Sequence, residues 1–164
     1  MTDLLGRRRD FLKTLGAGAA ATALGAAPRR PNFVVIVTDD QGIGDVGCYG
    51  HPDVRTPHLD ALAASGVRFT QWYANAPVCS ASRAAINTGK YPERTGVQGA
   101  LTSMPTFDVP GLRAGETTLA GELKKLGYRS TAIGKWHLGS APHSRPQAQG
   151  FDDLFGWYSG WLDA

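Results

Sequence analysis

The sequence predicts an α/β domain with a mostly parallel central sheet and helices on both faces. Three observations carry that prediction. Phe33-Val34-Val35-Ile36-Val37 is an uninterrupted, mostly β-branched apolar run, as expected of a strand buried on both faces. Stretches with helix start and stop residues alternate with strand-like ones along the chain. The chemically capable residues follow strand-like runs or open a helix, and parallel α/β sheets bind ligands outside the carboxyl ends of their strands.

Taken in order, the 33–37 run ends in Thr38-Asp39-Asp40-Gln41-Gly42. Two adjacent carboxylates after a buried strand read either as a solvated turn or as hard oxygen ligands for Ca²⁺ or Mg²⁺. Thr56 to Gly66 reads as a helix, with Thr56 as the cap, Pro57 at the first position, and Leu59, Leu62 and Ala63 on one face. Val67 to Tyr73 alternates as a strand, while residues 89–116 lack a period and read as a long loop. Thr118 to Gly127 repeats the helix recipe, with Leu119, Leu123 and Leu126 on one face and Glu122 near Lys125. Tyr128 to Ile133 reads as a strand that runs into Gly134-Lys135-Trp136-His137-Leu138-Gly139. Lys135 and His137 alternate, so both point the same way, as a site or as a surface turn.

The segment around which these pieces gather is Cys79-Ser80-Ala81-Ser82-Arg83. Pro77 precedes it and Gly89 follows Thr88, the bounds of a short helix. Residues four apart share a helix face, which places the Cys79 sulfur beside the Arg83 guanidinium. The first turn adds unpaired N–H donors and the positive end of the helix dipole. A modifiable side chain thus sits where negative charge is held. A buried cysteine with a solvated arginine, or a Cys48–Cys79 disulfide in an exported protein, also fits these residues. Joined with Asp39/Asp40 and Lys135/His137 on the same rim, they make the constellation of an anion-ester hydrolase.

Charge separates the leader from the body. The 164-residue chain carries +3 overall. Residues 1–30 hold six basic and two acidic residues, leaving 11 basic and 12 acidic residues in the body. The body is therefore at −1 and has no basic stripe for nucleic acid. Arg8-Arg9-Asp10-Phe11-Leu12-Lys13 resembles the bacterial twin-arginine export signal, and a weakly apolar run from Thr14 to Ala27 follows it. That run, about 14 residues, is shorter than the roughly 20 needed to span a bilayer. The expected organisation is a signal peptide over 1–27, a linker over 28–31 and a catalytic portion over 32–164, with a periplasmic or secreted destination.

Beyond these separate signals, the body resembles the type I, formylglycine-dependent sulfatases of the alkaline-phosphatase-like superfamily. The residues that carry the likeness are Arg30-Pro31-Asn32 through Thr38-Asp39-Asp40-Gln41-Gly42, Cys48-Tyr49-Gly50, Thr56-Pro57-His58-Leu59-Asp60, CSASR, Thr88-Gly89, GKWHLG, Gly150-Phe151-Asp152 and Phe155-Gly156. The resemblance implies that a maturation enzyme oxidises Cys79 to formylglycine, within a Cys-x-Ala-x-Arg signature. The hydrated aldehyde then attacks the sulfur of a sulfate ester, and its second hydroxyl loses a proton and expels sulfate. By the same resemblance Asp39, Asp40 and the modified Cys79 bind Ca²⁺, ahead of Mg²⁺. Arg83 holds the modified residue, Lys135 neutralises developing charge, and His137 orients hydroxyls or moves a proton. Cys48 becomes a packing residue.

Implied partners are a sulfated small molecule or polysaccharide, the maturation enzyme and the twin-arginine export machinery, with no nucleic acid. Family members are longer, so the chain is expected to be the N-terminal part of such an arylsulfatase-like enzyme, with further ligands lying past Ala164. The competing readings are a phosphonate or phosphate monoester hydrolase of the same superfamily and an inactive, truncated remnant. The remnant would bind sulfated glycans or nothing; Trp157, Tyr158 and Trp161 have rings that stack on sugars, but they read first as core packing.

Overall fold

A computed structural model of the chain describes residues 30–102 and 108–161. The expected signal peptide over 1–27 and residues 28 and 29 of the linker lie outside the described residues. The chain divides into two units, Met1–Val37 and Thr38–Ala164.

In the first unit, residues 33–37 do not form the buried strand that their composition predicts. They carry no strand assignment, and Val34 and Ile36 are 83% and 77% exposed. A strand exists only where a second strand completes its ladder, and β-branched residues favour a ladder without supplying one.

The second unit holds four α-helices among the described residues: α1 (Pro57–Ser65), α2 (Cys79–Thr88), α3 (Pro92–Thr95) and α4 (Leu119–Lys125). Two parallel strands, β1 (Thr131–Lys135) and β2 (Asp153–Trp157), pair in a register that sets Gly134 against Gly156 and Lys135 against Trp157. The α/β class and the parallel pairing agree with the sequence. The position of β1 differs slightly from the predicted 128–133, and β2 was not anticipated. Val67 to Tyr73 forms no strand, and Phe69, Trp72 and Tyr73 are exposed. No described helix is long and apolar enough to cross a membrane.

Two helices with similar start signals are built differently. Thr118 caps α4 as expected, its hydroxyl oxygen accepting from the Gly121 N–H at 3.1 Å while the hydroxyl donates to the Gln149 carbonyl at 2.6 Å. Thr56 does not cap α1. Its hydroxyl donates to the Asp60 carboxylate at 2.9 Å and accepts from the Gly47 N–H at 2.8 Å. The expected apolar faces also shift. Leu59 and Leu62 of α1 stay exposed, and in α4 the buried residue is Ala120, with Leu119 half exposed. The Glu122–Lys125 pair forms as expected, at 2.6 Å.

The core gathers Ala84 of α2 with Val97, Leu112, Trp136 and Leu138, and Leu101, Phe151 and Tyr158 pack against it. Trp136 meets Phe151 edge to face at 5.7 Å, and its indole N–H donates to the Ser144 carbonyl at 2.9 Å. The long stretch 89–116 contributes much of this core and includes the short α3, so it is only partly the plain loop the sequence predicts. Gly111 is required there. A Cβ on it would lie 1.9 Å from the Leu138 carbonyl oxygen, which accepts the Leu112 N–H at 3.0 Å.

Candidate active site

Helix α2 starts where an extended residue, Val78, hands over to Cys79, with the Val78 carbonyl accepting the Ser82 N–H at 3.0 Å. It stops at Gly89, whose φ of 66° is the left-handed cap that glycine adopts freely. Small residues make its buried face: Ser80, Ala81, Ala84 and Ala85. That close packing brings the helix start against the end of β1.

Lys135 is the last residue of β1, and His137 lies two residues on. The His137 N–H donates to the Tyr158 carbonyl at 3.0 Å, just as the Trp136 N–H donates to Trp157 at 2.9 Å. The strand-like pairing thus continues past β1 and holds His137 with φ at 54°, a conformation uncommon for a non-glycine residue. Trp136 and Leu138 on either side are anchored in the core.

Five of the six residues named from sequence converge here. The Cys79 Sγ lies 3.2 Å from His137 Nδ1. Arg83 donates from Nη1 to the Lys135 carbonyl at 2.8 Å, and its Nη2 lies 3.5 Å from Asp39 Oδ1. The Lys135 ammonium donates to Asp39 Oδ2 at 2.7 Å. The side chains of Arg83 and Lys135 are 14% and 12% exposed, whereas that of Asp39 is 44% exposed. Two nearly enclosed cations therefore face outward onto one accessible carboxylate. Asp40, with φ at 56°, is exposed and takes no part in these bonds.

The electrostatics follow from the geometry. The bonded Lys135 ammonium holds the Asp39 carboxyl below the ordinary carboxylate range, with partial burial opposing and Arg83 assisting. Burial pushes His137 below the usual imidazole range. The Leu101 carbonyl and Asp39 oppose this, and Lys135 and Arg83 add to it. The His137 Nε2 lies 3.1 Å from the Leu101 carbonyl oxygen, which can only accept, so Nε2 carries a proton, and in the neutral ring Nδ1 then presents its lone pair to Cys79.

Cys48 and Cys79 are both free thiols, so the disulfide alternative is not realised. Cys48 lies apart, in an open cleft lined by Gly47, Asp60, Ala63, Ala64 and Arg68. Trp157 and Tyr158 are partly buried and Tyr158 packs against the core, while Trp161 is 67% exposed. Sequence reasoning passed over Ser80 and Leu101. Ser80 is fully buried, and its hydroxyl oxygen accepts the Leu101 N–H at 3.1 Å. A hydroxyl on the buried face of an alanine-rich helix was the one available signal.

A family model described as Sulfatase matches residues 31–161, and one for the twin-arginine translocation pathway signal sequence matches residues 7–25. The leader is thus a twin-arginine signal, which directs the chain to the periplasm or outside the cell. The chain is 48% identical to the steryl-sulfatase of Mus musculus, over 80% of its own length and 23% of that protein. It is 43% identical to arylsulfatase A of Homo sapiens, over 93% of its length and 29% of that protein. Among solved structures it resembles BT4656 in complex with its substrate D-glucosamine-2-N,6-O-disulfate, with 33% identity and a TM-score of 0.63, covering 77% of this chain and 23% of that one. The chain spans about a quarter of the length of the relatives it matches.

Proposed function

The chain belongs to the sulfatase family, with its alkaline-phosphatase-like α/β fold, and we propose that it provides the nucleophile-bearing part of an exported sulfuric ester hydrolase. Residues 1–27 are the signal peptide, 28–31 a linker, and 32–164 the N-terminal portion of the catalytic domain. The observation that carries this reading is the convergence of Cys79, Arg83, Lys135, His137 and Asp39 at the start of α2.

Each residue has a role that its surroundings support. Cys79, converted by a maturation enzyme to formylglycine, supplies a hydrated aldehyde as an oxygen nucleophile. The thiol at this position stands 3.2 Å from Nδ1 of His137, where a hydroxyl in its place would find a proton acceptor. Lys135 and Arg83, little exposed and fixed by hydrogen bonds, present positive charge to the oxygens of a bound sulfate group. Arg83, on the face of α2 that carries Cys79, also ties that helix to the end of β1 through the Lys135 carbonyl.

The donor set suits a hard cation. Asp39 is held ionised and accessible and Asp40 adjoins it, both oxygen ligands of the kind Ca²⁺ takes, with Mg²⁺ second. Among the described residues no three His, Cys, Asp or Glu side chains gather as a metal cluster. Asp39 and Asp40, with the modified Cys79, therefore form part of a site, since calcium takes about six to eight oxygens. When bound, the cation would polarise sulfate oxygens and offset the charge of the carboxylates.

The substrate is a sulfated small molecule or polysaccharide. The sulfated glucosamine bound by BT4656 and the steryl group in the name of the mouse relative mark the range. The decisive test is mass spectrometry of the chain co-expressed with a formylglycine-generating enzyme. An aldehyde at position 79 is expected, and a retained thiol there overturns the reading. In the mature enzyme Cys79→Ala is expected to abolish hydrolysis of an aryl sulfate, and a marked preference for the matching aryl phosphonate would favour the phosphonate hydrolase instead.

A further inference from the structure

Three hydrogen bonds link four residues at the head of α2 in a closed circuit. Ser80 follows Cys79 in the helix. Its hydroxyl oxygen accepts the Leu101 N–H at 3.1 Å. The Leu101 carbonyl lies 3.1 Å from His137 Nε2, and His137 Nδ1 lies 3.2 Å from Cys79 Sγ. We propose that Ser80 is a positioning residue: its hydroxyl anchors Leu101, whose carbonyl fixes His137 in the Nε2–H tautomer with its bare Nδ1 turned on Cys79.

Several facts point the same way. Leu101 belongs to no helix or strand, so no ladder holds it, and its N–H and carbonyl are both directed to the site. Its side chain packs against the core cluster, and the two backbone bonds aim its peptide groups at Ser80 and His137. Ser80 is fully buried on a helix face otherwise made of alanine. A serine there is a poorer helix former than alanine and brings a buried polar atom, so local helix stability does not explain it. The bond to Leu101 does.

His137 needs such a device. Its two ring nitrogens are distinguished by what each one meets, and the Leu101 carbonyl, which can only accept, favours the proton on Nε2. In the other tautomer Nδ1 carries the proton and cannot accept one from residue 79. The catalytic consequence rests on the sulfatase reading, but the tautomer itself does not.

The test therefore uses the full chain with its thiol intact, which requires no maturation. Two-bond ¹H–¹⁵N correlation of the imidazole reads the tautomer about two pH units above the ordinary histidine value of ~6.5. Signals are assigned by their loss in His137→Gln. Wild type is expected to show Nε2 protonated and Nδ1 bare, and Ser80→Thr, which keeps the hydroxyl, should match it. Ser80→Ala should lower the Nε2–H to Nδ1–H ratio roughly fivefold, the effect of one net hydrogen bond. An unchanged ratio in Ser80→Ala, or an Nδ1–H tautomer in wild type, overturns the proposal. If Ser80→Ala is not recovered folded, Ser80→Cys, a weaker acceptor of similar size, takes its place: a lowered ratio supports the proposal and an unchanged one overturns it. Failure here leaves the sulfatase reading standing, since that reading fails instead by an unmodified Cys79 after co-expression.

Discussion

Helices α1 and α2 are separated by residues 66–78, and both end at a glycine, yet they differ in nearly everything that matters for function. α1 has no buried residue, and its Leu62 is 63% exposed. α2 buries four small side chains and packs its start against the end of β1. The more apolar helix is thus the less buried one. Local signals form both helices, but burial requires a matching surface, and small side chains on α2 let backbone and polar groups come close. An active site needs that kind of rigidity more than it needs apolar area.

This contrast is open to measurement, and the largest effect is expected on the α2 side. Leu112 is fully buried in the core beneath α2. Leu112→Ala should lower the unfolding free energy by about 2–5 kcal/mol in denaturant titration. A cost below about 1 kcal/mol would mean that this core is not the stable part of the unit.

Next comes the Lys90–Glu116 pair, which ties the residue after the α2 cap to the far end of the long stretch. Lys90, bonded to Glu116, holds its carboxyl below its ordinary value of 4.5. The folded chain thus binds fewer protons than the unfolded one in acid. The stabilisation is fully present above pH 4.5 and is lost as pH falls through the lowered folded value. Glu116→Gln should cost about 1.5–3 kcal/mol at neutral pH, since the Glu116 side chain is only 7% exposed. It should also flatten this acid limb, and an acid limb identical to wild type would show that the pair does not form.

Thr118→Ala should cost about 1 kcal/mol, because it removes a true cap from α4. The smallest effect belongs to α1. Leu62→Ala should stay within about 0.5 kcal/mol, as at other exposed positions. A cost above about 2 kcal/mol would show that this face is covered in solution, and would erase the contrast between the two helices.

The grouping of the candidate residues was more legible than the packing. Cys79 and Arg83 at helical spacing, and Lys135 and His137 at strand spacing, are local patterns that survive into the structure with little change. Asp39 joins them through ion pairs with Lys135 and Arg83, both far away in sequence, whereas Asp40 does not. β1 was readable within a few residues, but β2 was hidden in Asp153–Trp157, where glycine and an acid interrupt the apolar pattern. The strands expected at 33–37 and 67–73 failed for the opposite reason: the pattern is good, but no ladder forms there among the described residues.

Sequence alone therefore determined the residue types at the site, the starts and stops of its helices, and the export signal, because each is written in neighbours a few positions apart. Only the tertiary structure decided which apolar faces are buried, which of two adjacent aspartates meets the cations, and that a leucine's backbone presents the histidine. Those outcomes depend on contacts between distant segments, and a backbone carbonyl carries no trace of its role in the side chain attached to it.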